Sequence, residues 1–236
     1  MKRTLVVIVA SLLPIAAAAT EVIDDFESGT NPNQWGWTNN GGGAYIIEMT
    51  GGSPGAWLDS GTPYYSDHPN LTSIPPDGTD LRTALASGTL HAASFSFRQY
   101  ASGCFPTYTS RSTFSLELID LHSDPGGAVI EAHTTTGAPS IGGLHFSVWT
   151  HANFAIPSDS TDPVPDGWEL NAPPELNYTW QDLMQNIDGI RFFVINPDDF
   201  TFDACWRLGA DNVSVTYGDA VLPRPIQANR RATPTH

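Results

Sequence analysis

The chain has 236 residues and carries 25 Asp and Glu against 10 Lys and Arg, a formal net charge of −15. Such a surface repels phosphate backbones and excludes nucleic acid as a natural partner; it suits cations, calcium included, or simple solubility outside the cell. With 21 Gly and 19 Pro and few strong helix formers, the composition points to one all-β domain large enough to bury a core.

The chain opens with Lys2 and Arg3, then LVVIVASLLPI and alanines from Ala16 to Ala19. A charged start, a short apolar run and small residues read as a secretory signal peptide over residues 1–19. The apolar run is too short for a spanning helix, so no membrane span is expected in the mature chain. The product is expected to be secreted, in a periplasmic or extracellular space. Residues 20–218 read as the folded domain. Residues 219–236, rich in Arg and Pro with no apolar face, read as a disordered tail.

Strand patterns follow in short runs at 22–26, 44–49 and 56–59, punctuated by Gly-Gly and Pro-Gly. Residues 60–80 read as a Pro-rich surface loop. Clear alternation returns at 91–100, 113–121 and 144–156. Residues 157–176 read as a second Pro-rich loop, 180–187 as the single short helix, and 189–195 and 208–217 as the closing strands. Strands at this spacing predict a two-sheet antiparallel β-sandwich of jelly-roll type.

Cys104 and Cys205 are the only cysteines. In an exported chain they are expected to form one disulfide, worth about 4–5 kcal/mol for a loop of this length in the chain-entropy model.

Gly51-Gly-Ser-Pro-Gly55 matches the G-x-S-x-G nucleophile elbow in letters. Its chemistry fails: the residue after the serine must donate a backbone N–H, and Pro54 has none. A tight turn is the better reading. The histidines show no metal-ligand spacing, and the many acids single out no glycosidase-like pair.

The aromatic residues are more informative. Trp149 and Trp180 read as core. Trp35, Trp37 and Trp168 sit in polar, loop-like surroundings. Tyr64 and Tyr65, on the first Pro-rich loop, are the better candidates for stacking on sugar rings.

In RLGADNVSVTYG, Asp211 falls in phase with Val213 and Val215. A carboxylate on an apolar phase needs a partner. It can accept backbone N–H groups from a neighbouring turn. It can share a calcium ion with Asp24, Asp25 and Glu27 of the first strand. Or a bulge can turn it outward.

The segments DDFESGTNPNQWGWTNNGG, GGSPGAWLDS, WQDLMQNIDGIRFFV and LGADNVSV, in this order, resemble bacterial secreted domains related to the laminin B (laminin IV type A) domain, within the galactose-binding-like jelly rolls. The resemblance implies a non-catalytic extracellular β-sandwich that binds carbohydrate, a polysaccharide or cell-surface glycan. It also implies a structural calcium held by Glu27 and Asp211, with Asp25 a third ligand. Two other functions compete with this one: a structural or adhesive matrix protein without a small ligand, and a carbohydrate-active enzyme using two of the acids.

Overall fold

The computed structural model describes residues 19–27, 35–38, 46–53, 55–59, 70–101, 112–121, 129–137, 140–141, 148–195 and 206–218. They form two antiparallel sheets around one shared core, the expected β-sandwich. Numbered in chain order, the first sheet runs β10 (Thr150–Ala155), β6 (Leu90–Ala101), β13 (Trp206–Tyr217), β4 (Gly55–Asp59) and β3 (Ile46–Gly52). Its remaining strand, β1 (Thr20–Asp24), also pairs with β13, so the first and last strands lie side by side. The second sheet runs β11 (Trp168–Asn171), β8 (Ile130–Thr134), β7 (Ser112–Asp120), β12 (Gly189–Ile195), β5 (Asn70–Ser73) and β2 (Trp37–Thr38). The short β9 (Ser140–Ile141) also pairs with β7.

Period-two alternation builds the core. Phe95 and Phe97 of β6 face Phe114, Leu116 and Leu118 of β7, and all are fully buried. Ring centroids of Phe95 and Phe114 stand 6.4 Å apart, and those of Trp37 and Phe192 stand 6.1 Å apart. Each such side chain contributes roughly 1.5–3 kcal/mol by leaving water.

The expected helix is present as α2 (Trp180–Gln185). Thr179 caps it and Asp182 reaches back to the Thr179 backbone, a capping box. It is not the single helix, however. A second, α1 (Asp80–Leu85), follows the cap residue Thr79 and buries Leu81, Ala84 and Leu85. It follows directly on Pro75, Pro76 and Gly78, turn chemistry that reads as the end of a loop and hides the helix in the sequence. The second Pro-rich loop is also corrected: it contains β11 and a 3-10 turn at Pro174–Leu176.

Two aromatic expectations change as well. Trp35 and Trp37 are core residues, each 1% exposed, and their indole N–H groups donate to Asp80 Oδ1 at 2.9 Å and Asp24 Oδ2 at 3.1 Å. A polar tip on a large apolar body lets these rings sit in polar-looking sequence and still be buried. Trp149, read as core, is instead half-buried just before β10 and donates its indole N–H to the Gly51 carbonyl at 2.8 Å. Trp180 is fully buried, as expected. Tyr64, Tyr65, Cys104 and Cys205 lie outside the described residues. Among the described residues no helix is long and apolar enough to cross a membrane.

Candidate functional site on the outer sheet face

Strand register brings together residues that are far apart in sequence. Glu169 of β11 pairs with His133 of β8, His133 with Glu117 of β7, and Glu117 with Arg191 of β12. Arg191 in turn pairs with Thr72 of β5, and Thr72 with Thr38 of β2. Directly paired residues share a face. A polar row, one residue per strand, therefore crosses the sheet on the side away from the core. Glu131 and Asn171 form a second pair beside it. Phe193 adds an aromatic ring, its centroid 6.1 Å from that of His133 in an edge-on contact.

This face holds an open cavity of about 610 Å³, lined by Glu117, Glu131, His133, Glu169, Asn171 and Phe193, with Leu170. The floor is deep: Glu117 is 4% exposed. The rim is open, with the Glu169 side chain 82% exposed. Arg191 organises the floor. Its Nη1 donates to Glu117 Oε2 at 2.5 Å and to Glu131 Oε1 at 3.2 Å, while Nε donates to Thr72 Oγ1 at 3.1 Å. Burial pushes the Glu117 carboxyl up to about 7; the Arg191 guanidinium opposes this, and the Glu131 carboxylate adds to it.

Arg191 Nη1 ties the Glu117 and Glu131 carboxylates together through one nitrogen. The arrangement suits binding: carboxylates, an amide and an imidazole offer hydrogen bonds to hydroxyls, and a ring edge offers an apolar contact.

A second feature lies on the outer side of the first sheet. Asn212 adopts a left-handed backbone (φ +50°), and β13 shifts register against β6 between Asp211 and Ser214. This bulge puts Asp211 opposite Ser96, on the outer face, while Val213 and Val215 stay in the core. Two of the open explanations therefore hold together. The bulge turns Asp211 outward, yet it remains fully buried because the turn between β3 and β4 covers it. Ser53 donates its backbone N–H to Asp211 Oδ2, and Asn212 donates its own to Oδ1 at 2.7 Å. The Asn212 amide closes the arrangement on the Ser53 carbonyl at 2.6 Å.

Glu27 sits at the other end of the same turn, accepting the Ala56 N–H at 3.0 Å. Asp25 accepts the Glu27 N–H at 3.1 Å. Two glycines, Gly52 and Gly55, pair across the turn and make room for the carboxylates. A Cβ on Gly52 would lie 2.8 Å from Asp211 Oδ2. Burial raises the Asp211 carboxyl above the usual carboxylate range; the Ser53 and Asn212 amides oppose this, and Glu27 and Asp25 add to it. The donor set, hard oxygens seated on glycines and repelling one another, has the chemistry a calcium ion takes. No group of three or more His, Cys, Asp or Glu among the described residues forms a metal cluster as placed.

Sequence reasoning singled out Asp211 as needing a partner and missed the polar row. Glu117, Glu131, Glu169 and Arg191 each stand beside apolar residues in a strand, as any solvent-facing residue does. The sheet register is what aligns them.

No protein-family model matches the chain, and no curated protein matches it. Among solved structures it is similar to the family 11 carbohydrate-binding module of the cellulosomal cellulase Lic26A-Cel5E of Clostridium thermocellum. That match has 18% identity and a TM-score of 0.41, covering 86% of this chain and 97% of the other. It is also similar to "a putative sugar binding protein" from Bacteroides thetaiotaomicron, at 9% identity and a TM-score of 0.35, covering 78% of this chain and 88% of the other. Likeness at this level goes no further than the fold, which rests on the strand topology above. The laminin B resemblance is not among these matches.

Proposed function

We propose that the chain is a non-catalytic extracellular module that binds carbohydrate, a polysaccharide or cell-surface glycan, on the outer face of the second sheet. The observation that carries this is the continuous row Glu169, His133, Glu117, Arg191, Thr72 and Thr38, beside Phe193 over an open cavity of about 610 Å³. Sugars combine ring faces with many hydroxyls, and such a surface offers partners for both. The rigid sheet fixes the spacing of these groups before a ligand arrives, which lowers the cost of ordering them on binding.

Calcium is the proposed occupant of the seat on the first sheet, with Glu27 and Asp211 as ligands and Asp25 as a third. It would neutralise the mutual repulsion of these acids and brace the β3–β4 turn against β13. Tyr64 and Tyr65 remain proposed as further ligand contacts.

The test is binding of the full chain to a panel of soluble polysaccharides, repeated with Phe193→Ala, Asn171→Ala and the Tyr64→Ala/Tyr65→Ala pair. Saturable binding weakened about tenfold or more by Phe193→Ala or Asn171→Ala supports the site. Binding untouched by either moves the site elsewhere. Absence of glycan binding by folded protein favours the structural or adhesive reading.

A further inference from the structure

Three segments of the chain read Asn-x-Ser/Thr with x other than Pro: Asn70-Leu71-Thr72, Asn177-Tyr178-Thr179 and Asn212-Val213-Ser214. That triplet is the acceptor for N-linked glycosylation in an exported chain. As sequence the three are equivalent. The fold separates them.

Asn70 belongs to β5, inside the second sheet, and is 8% exposed. Its side-chain oxygen accepts the Thr72 hydroxyl at 3.3 Å, and Thr72 is itself buried. A bulky glycan has no room there. Asn212 lies in the bulge of β13 and its side-chain amide donates to the Ser53 carbonyl at 2.6 Å. The acceptor nitrogen is therefore engaged in holding the β3–β4 turn. The hydroxyl of Ser214, the third residue of that triplet, is tied to Ser94 Oγ at 2.9 Å.

Asn177 differs on each count. It is exposed, at the C-terminal cap of the 3-10 turn Pro174–Leu176, outside both sheets. Its backbone is left-handed, with φ +46°, a conformation that a short polar side chain tolerates. The two residues that follow are fastened to the fold. Tyr178 donates its hydroxyl to Asp120 Oδ2 at 2.5 Å, and Thr179 caps α2. A substituent on the exposed Asn177 side chain displaces no core group. Glu175, also exposed, stands two residues ahead of it, where the other two triplets have His68 and Ala210. That acid gives a cationic acceptor groove a charge to read.

We infer that Asn177 is a site of N-linked glycan attachment on the exported chain, and that it alone of the three triplets carries a glycan in the folded protein. The co-reactant is an oligosaccharide linked to a lipid diphosphate, presented by an oligosaccharyltransferase. Asn177 Nδ2 bonds to the anomeric carbon, and the bond from that carbon to the diphosphate oxygen breaks. The lipid diphosphate leaves with the electron pair, and the amide gives up one proton. Transfer precedes folding, because the folded chain ties the Thr179 hydroxyl to Asp182 Oδ2 at 2.6 Å. Chains modified at Asn70 or Asn212 do not complete the sandwich.

The experiment is secretion of the full chain, with its own residues 1–19, from a host whose secretory compartment holds that transferase. The secreted protein is checked by circular dichroism and mapped by peptide mass before and after enzymatic removal of N-glycans. One glycan is expected, at Asn177. Asn177→Asp, which keeps a side chain suited to the left-handed backbone, should lose it. Thr179→Asn should lose it too, because it breaks the triplet while keeping a good helix cap. Thr179→Ser keeps both triplet and cap and should keep the glycan. A folded, secreted chain bare at Asn177 would overturn the assignment, as would a glycan at Asn70 or Asn212 in folded protein. A glycan that survives Thr179→Asn would overturn the triplet as its signal, and retention of the chain inside the host would remove the export on which the site depends.

Discussion

Gly55 and Glu27 compete for one space: a Cβ built on the glycine would stand 1.7 Å from Glu27 Oε1. The backbone there is also left-handed, with φ +87°. The absence of a side chain at Gly55 is what lets the Glu27 carboxylate reach the β3–β4 turn.

Replacing Gly55 with alanine should therefore cost more than the ordinary price of a side chain at positive φ. Gly78 provides the comparison, because it has φ +84° and nothing within 4 Å of an added Cβ. Gly78→Ala should cost about 1 kcal/mol, and Gly55→Ala about 2–4 kcal/mol, in urea unfolding. Equal costs would mean that Glu27 moves aside freely and the seat is not specified.

Calcium should stabilise the folded chain through the same seat. A ligand at a hundred times its dissociation constant adds about 2.7 kcal/mol. The melting temperature should rise in calcium, return in chelator, and lose its calcium dependence in Asp211→Asn, which keeps an acceptor for a backbone N–H while removing the charge. A wild-type chain indifferent to calcium would leave Asp211 with only the Ser53 and Asn212 amides as partners.

Glu117 makes stability depend on pH in a defined direction. Its carboxyl is pushed from 4.5 to about 7 in the fold, so the folded chain holds a proton that the unfolded chain releases earlier. The contribution is fully present below the ordinary value and is lost as pH rises through about 7. Compared with Glu117→Gln, the wild type should lose stability between pH 5 and pH 8.5, by about 3 kcal/mol at most. Denaturant midpoints of the two proteins across that range measure it. Parallel profiles would mean that Arg191 keeps Glu117 ionised throughout.

The sandwich was readable in the sequence because alternation in segments such as SFSF and TFSLEL is local and marks an inner phase. Three things were not. The helix α1 follows directly on Pro75, Pro76 and Gly78, whose turn chemistry hides it. The bulge at Asn212 breaks the phase, so counting alternate residues puts Asp211 on the wrong side. Most importantly, the polar row exists only through register: Glu117 and Arg191 are 74 residues apart, and no local pattern says that they meet.

The most direct test of the binding face is an amide NMR titration of the full chain with soluble oligosaccharides of several classes, cellohexaose among them. The shifts should be largest at Glu117, His133, Asn171, Arg191 and Phe193 and should saturate with ligand. Saturable shifts confined to the opposite sheet, around Trp57 of β4 and the Arg98 of β6 that stacks on it, would contradict the placement of the site. No shifts at all in the folded protein would contradict carbohydrate binding itself.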